Sequence, residues 1–221
     1  MSEPDESAAA LARLDAITRR LRLECPWDRE QDERSIVPHT VEEAYELADA
    51  ANRGDDAKLL DELGDVLFQV VFLALLLEER GQGSFADVAE HCRQKLIRRH
   101  PHVFGDVEAS SAGEVLRNWD EIKRSEEGRE PGIFGEVPEN LPGPLYARKL
   151  LRRASSAGVS CEPPRVEDRL DADDFDSVGE LLFAAVARAR ELKVDPELAL
   201  RAAADRFRAT IDDQEAGSAS E

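Results

Sequence analysis

A chain of 221 residues, 42% hydrophobic and 35% charged, is long enough for one or two domains with a real core and has a soluble globular composition. Its formal net charge of −19 excludes polymeric nucleic-acid binding through a broad basic face; an anionic small substrate would need a local basic patch or metal ions to screen the carboxylates. The longest apolar run, Val66 to Leu77, is broken by Gln69 and too short to span a bilayer; Met1 to Glu6 lacks the basic start of a signal peptide; and Cys25, Cys92 and Cys161 fit no metal-knuckle or disulfide framework, so a reduced, cytoplasmic protein that avoids membranes is expected.

Strand signals are almost absent, and helix punctuation recurs along the chain. Leu11, Leu14, Ile17 and Leu21 form a helical stripe that Cys25-Pro26 ends. A polar loop to His39 is expected next. Thr40 then reads as an N-cap with Glu43 at the capping-box position, opening a helix that stops near Arg53-Gly54. Asp55 or Asp56 caps the next and longest helix, which runs to about Arg80. Its second half is apolar nearly all round, which predicts a central helix buried on most sides. Ser84 with Asp87, and Ser111 with Glu114, open two further helices ending near Arg99 and Gly128.

Repeated Pro and Gly mark Arg129 to Pro144 as a loop, followed by a short helix over Leu145 to Ala154. The acidic stretch Glu162 to Asp176 reads as solvated or mobile. Two more helices follow, over Ser177 to Leu192 and, capped by Asp195, to Ile211. Within them Glu62-Leu-Gly-Asp-Val-Leu-Phe68 recurs as Ser177-Val-Gly-Glu-Leu-Leu-Phe183. The second copy lacks Glu62 and has no partner like Glu43-x-x-Glu46. The predicted organisation is all-α: a four- or five-helix bundle over 8–128, a linker and connecting helix over 129–157, a degenerate helical repeat over 158–213, and a disordered tail over 214–221.

Residues three or four apart share a helix face, so Glu43 points with Glu46 and Glu62 with Asp65. The short connection makes the two helices an antiparallel hairpin, which gathers these carboxylates, with Glu42 beside them, into one cleft. Exposed like-charge pairs cost about 0.2–0.5 kcal/mol each and more when desolvated, so a compensating cation is expected. All-oxygen ligands select a hard ion, Mg2+ with Mn2+ as a substitute, and the missing Glu-x-x-His pairs exclude a di-iron site. Gly64 inside this helix costs roughly 1 kcal/mol relative to Ala, which predicts close approach of a neighbouring helix or ligand. Either pair alone would read as surface carboxylates on an amphipathic helix; two pairs on adjoining helices do not.

The positive feature is Arg93, Lys95, Arg98 and Arg99, within an acid-free stretch. Lys95 and Arg99 are one turn apart and suited to phosphate oxygens, although a solvated basic face is the plainer reading. Trp119 and Lys123 are likewise one turn apart, an aromatic surface beside a cation or a core Trp beside an exposed Lys. Trp27 and Asp28 either face a cleft or pack a loop. His100 and His102 flank Pro101 without a third ligand and read as a structural turn.

Four blocks in order carry a family resemblance: Cys25-Pro-Trp-Asp-Arg-Glu-Gln31, the acidic pairs Glu42-Glu43-x-x-Glu46 and Glu62-x-x-Asp65, Lys95-Leu-Ile-Arg-Arg-His-Pro-His-Val-Phe104, and Trp119-Asp-Glu-Ile-Lys123. Over roughly residues 10–150 the chain resembles the MazG-type nucleoside triphosphate pyrophosphohydrolases. The resemblance implies an all-α bundle that pairs with a second copy and hydrolyses NTPs to NMP and pyrophosphate. It implies Glu43, Glu46, Glu62 and Asp65 as Mg2+ ligands and Lys95, Arg99, Trp119 and Lys123 around the nucleotide, with Arg98, Trp27 and Asp28 as further contacts. The expected reaction is attack of an activated water on the α-phosphorus, with Glu42 the candidate base and Glu43 or Glu46 its alternatives. Nucleotide-pool house-cleaning is the expected role; a narrow pyrimidine dNTP or phosphoribosyl-ATP pyrophosphohydrolase, or a non-catalytic helical metal-binding protein, are the alternatives.

Overall fold

The computed structural model describes residues 3–126, 132–135, 137–138, 140–159 and 165–218. The end of the expected bundle (127–128), parts of the expected linker (129–131, 136 and 139), part of the expected repeat (160–164, with Cys161 and the start of the acidic stretch) and the last residues of the expected tail (219–221) lie outside the described residues. The regular elements among the described residues are ten α-helices and one 3-10 turn, with no strand. By its internal packing the chain divides into Met1–Arg98 and Arg99–Glu221, a division inside the 8–128 segment expected to form one bundle.

The first unit is built on helices α1 (Glu3–Glu24), α2 (Pro26–Glu30), α3 (Glu33–Arg53), α4 (Asp56–Glu79) and most of α5 (Phe85–Arg99). Helix α3 starts earlier than the sequence suggests. Asp32 accepts from the Ser35 amide at 2.8 Å and Ser35 Oγ accepts from the Asp32 amide at 2.9 Å, a reciprocal capping box upstream of the expected one at Thr40 and Glu43. Thr40 is therefore helix interior, its hydroxyl donating to the Ile36 carbonyl at 3.3 Å. Pro38 lies within the helix and forfeits one backbone bond there. At the far end Gly54 closes α3 in the left-handed region, at φ 68°. Asp55 then caps α4 through the Lys58 amide at 3.0 Å, so the hairpin turn is only a few residues long.

Helices α3 and α4 form the main packed pair, and α1 lies against α2 and α4. Ile36, Phe72 and Leu76 make the core between them, flanked by Phe68 and Leu73. Arg22 of α1 staples the end of this unit. It pairs with Glu79 through two 2.9 Å contacts, donates to the Gln31 carbonyl at 3.0 Å, and lies 5.9 Å from the Phe72 ring centroid. The inward stripe of α4 runs Glu62, Gln69, Phe72, Leu76. Burial on most sides is not what the helix shows: Leu60, Leu63, Leu67 and Val70 form a second, exposed apolar stripe, with Leu60 at 75% exposure.

The second unit comprises α6 (Pro101–Phe104), α7 (Ala112–Ser125), α8 (Gly143–Ser156), a 3-10 turn (Val166–Arg169), α9 (Phe175–Glu191) and α10 (Pro196–Ser218). Helix α8 packs against α7, α9 and α10. The α7–α8 contact is fixed by buried Asp120, which accepts from Arg152 at 2.8 and 3.0 Å and from Ser156 at 2.7 Å. Asp195 caps α10 at 3.0 and 3.1 Å and also meets Arg148 of α8. Helix α10 continues to Ser218, past Gln214 where the sequence suggested a disordered tail.

Candidate metal centre and active site

The α3–α4 hairpin brings Glu43, Glu62 and Asp65 together: one carboxylate oxygen of each lies within 4.8 Å of the other two. Their order follows from heptad spacing. Glu43 lies seven residues from both Ile36 and Ala50, which are buried on the inner face of α3, and Glu62 lies seven before buried Gln69 on α4. Glu62 has no exposed surface, Glu43 is half-buried, and Asp65 opens to solvent. The cluster thus runs from the helix interface to the surface.

The electrostatics are unresolved within the fold. Burial, then the charges of Asp65, Glu46 and Glu62, push the Glu43 carboxyl above its usual value. Both Glu62 oxygens are buried without a hydrogen-bond partner, and Gln69 Oε1 beyond them is also unpartnered. Lys58, one turn before Glu62, brings its ammonium into contact with Oε1. A buried carboxylate without donors is costly unless a cation completes it. These acceptors, all oxygen and converging from two helices, fit a hard divalent ion.

Glu46 is exposed; it acts on Glu43 by charge and is not in the converging set. Glu42 is exposed and meets His39 Nδ1 at 3.2 Å, on the outer side of α3. His39 in turn lies edge-on to half-exposed Trp27 with ring centroids 6.0 Å apart, so Trp27, His39 and Glu42 form one strip. Asp28 is buried beneath it, near Arg22. Thr40 as a cap would have claimed Glu43 for the backbone; with the cap at Asp32, Glu43 is released to the cluster. Gly64 does not mark a close approach within the chain, since a Cβ there would meet nothing within 4 Å.

The basic residues divide between the two units. Arg93 clasps Glu90 at 2.7 and 2.6 Å on its own helix. Lys95 is half-buried and Arg98 exposed on α5. In the second unit, buried Arg99 pairs with Glu126, Nε to Oε1 at 2.9 Å, and lies 5.6 Å from the Trp119 ring centroid. His100 packs edge-on to Trp119 at 4.7 Å and beside His102 at 5.5 Å, and half-buried Lys123 lies on α7, the helix that carries Trp119.

The segment expected to be a degenerate repeat places its corresponding residues differently. Ser177, at the position of Glu62, is taken up by a capping box with Asp174 at the start of α9. Glu180, at the position of Asp65, pairs with Arg169 at 2.6 Å. Lys58 is the residue at the cluster that the motif reading did not single out; its signal was the four-residue spacing to Glu62, which puts an ammonium beside that carboxylate.

A helical hairpin with three converging carboxylates, one of them fully buried, defines the class: an all-α protein with an acidic cluster between two helices. The model of the MazG nucleotide pyrophosphohydrolase domain matches residues 31–104, a span holding the whole carboxylate cluster. The chain is 36% identical over 203 residues to the nucleoside triphosphate pyrophosphohydrolase of Escherichia coli (strain K12), covering 83% of this chain and 77% of that one. It is 40% identical over 197 residues to the nucleoside triphosphate pyrophosphohydrolase/pyrophosphatase MazG of Thermotoga maritima, covering 83% and 76%. A crystal structure of a MazG-related protein from Thermotoga maritima aligns with a TM-score of 0.45 and 25% identity, over 51% of this chain and 97% of that chain. The chain belongs to the MazG family of nucleotide pyrophosphohydrolases.

Proposed function

We propose that this protein hydrolyses (deoxy)nucleoside triphosphates between the α- and β-phosphates, releasing the monophosphate and pyrophosphate, as a Mg2+-dependent house-cleaner of the nucleotide pool. The observation that carries it is the fully buried Glu62 converging with Glu43 and Asp65. These three, with Glu46 at the rim, would hold the ion. When bound, Mg2+ would lower the pKa of the attacking water and screen the phosphate oxygens. Glu42, which meets His39 and is not needed as a ligand, would take the water's proton, with Glu46 or Glu43 as its alternatives. Lys95 and Arg98 would steady the phosphates. Arg99, Trp119 and Lys123 would hold the nucleotide, with Trp27 and Asp28 shaping the outer strip. Incubation with a panel of NTPs and dNTPs, with pyrophosphate and orthophosphate both measured, tests this; no turnover of any nucleotide with Mg2+ or Mn2+ sinks it.

The homodimer follows as part of the same reading. Leu60, Leu63, Gly64 and Leu67 share one exposed face of α4, and Phe175, Val178, Gly179 and Leu182 repeat it on α9 at the matching positions. The duplicate has kept this face and lost its acids, which favours an interface role. We propose that a second copy covers α4 and approaches Gly64. Sedimentation of Leu63→Glu and Gly64→Leu should show monomers; unchanged dimers would refute the placement. No helix among the described residues is long and apolar enough to cross a membrane.

A further inference from the structure

We propose that Lys58 is a built-in counterion for the carboxylate site: its ammonium group occupies the cation position at Glu62 in the metal-free protein, and a divalent ion binds by displacing it. This rests on the metal reading of Glu43, Glu62 and Asp65. The geometry is local and asymmetric. Lys58 precedes Glu62 by one turn of α4, and its Nζ touches Oε1. The Glu62 side chain is 1% exposed, whereas that of Lys58 is 49% exposed, so the pair is buried at its acidic end only.

The contact supplies one positive charge to one oxygen, Oε1. The ammonium is therefore a weaker occupant than a divalent ion drawing ligands from both helices. Lys58 also has somewhere to go. Asp61 lies 3.5 Å from its Nζ and is largely exposed, so a small rotation of a flexible side chain moves the ammonium outward while it keeps a carboxylate partner. No backbone rearrangement is needed.

The arrangement explains how an α4 carrying a fully buried carboxylate beside two others can fold before any ion arrives. Its cost falls on metal affinity, because each binding event must first break the lysine contact. Free energy lost from binding equals that gained by the empty protein.

Titrating Mn2+ calorimetrically into the full chain, wild type against Lys58→Met, tests the displacement. Lys58→Met should bind Mn2+ about tenfold more tightly. In EDTA it should melt below wild type, and at saturating Mn2+ the two should melt together. Lys58→Gln should behave alike, which guards against an effect of the Met side chain. Arg53→Gln, which removes a cation paired with Asp49 at 3.1 Å, should leave Mn2+ affinity unchanged. Equal affinity in wild type and Lys58→Met overturns the displacement while leaving the metal reading intact. Equal tightening by Arg53→Gln also overturns it, since general charge then suffices. If wild type takes up no Mn2+, the metal reading fails and the displacement falls with it.

Discussion

Glu62→Met should make the metal-free protein more stable while destroying its response to metal. Methionine nearly matches the glutamate side chain in volume and carries no charge into a position with no exposed surface. A buried polar group left unsatisfied costs about 1–3 kcal/mol, more when charged, and the Lys58 contact offsets part of this. A net gain of about 1–2 kcal/mol is expected, because the half-exposed Lys58 can turn to Asp61. In a chain of this length that raises the melting temperature by about 2–8 °C. Wild type should gain about 2.7 kcal/mol from Mn2+ at a hundred times its dissociation constant, and Glu62→Met nothing. The ranking of the two proteins should therefore invert between EDTA and saturating Mn2+ in a calorimetric melt. A Glu62→Met protein that melts below wild type in EDTA would refute the reasoning, since the fold itself would then be satisfying the carboxylate.

Other sites give independent tests. Arg152→Met leaves Asp120, 3% exposed at its side chain, without its arginine, and should cost about 3 kcal/mol in a urea melt followed by fluorescence of the adjacent Trp119; a cost under about 0.5 kcal/mol would show that the ion pair is not structural. Glu79 is held below the usual carboxylate range by Arg22, so its pair stabilises the fold above the unfolded pKa of about 4.3 and loses that contribution as pH falls through the lower folded value. Glu79→Gln should thus lower stability at pH 7 by about 0.5–1 kcal/mol, a small figure because Glu79 is 40% exposed, and the gap should close on acidification; a gap that stays constant with pH contradicts this. Asp32→Ala should lower the melting temperature and Thr40→Ala should leave it nearly unchanged, the reverse of what the T-x-x-E pattern implies; equal effects would return the cap to Thr40.

Much of the first unit was legible because periodicity and punctuation agree. Gly54 with Asp55, Ser84 with Asp87 and Ser111 with Glu114 all lie at helix ends, since each supplies a conformation or acceptor that a helix terminus lacks. Thr40 misled for a physical reason. A capping box is a local pattern, and where Asp32-x-x-Ser35 offers another upstream, the helix that also buries Ile36 against Phe72 prevails. The apolar run of α4 could not reveal which face is exposed, because an apolar side chain carries the same pattern whether its partner is in the same chain or another one. The basic cluster was legible as composition only. Which arginines are already taken, Arg93 by Glu90 and Arg99 by Glu126, depends on side chains one turn or many residues away.

The recurring segment Ser177 to Phe183 makes the same distinction more sharply. Its letters show that Ser177 replaces Glu62, but not that the replacement moves the helix start. In α4 the cap is Asp55, two turns before Glu62, so Glu62 lies deep enough in the helix to face α3. In α9 the cap is Asp174, three residues before Ser177, so the matching position falls in the first turn, where its hydroxyl and amide belong to the cap. Ser177→Glu alone would therefore place a carboxylate at a helix N-terminus, favourably oriented for the helix dipole, without restoring a cation site. Restoring one would also need Glu180 freed from Arg169 and an acidic pair on a facing helix. Mn2+ titration of Ser177→Glu should accordingly give the wild-type number of sites, and an added site would show that spacing alone, without the hairpin register, is enough.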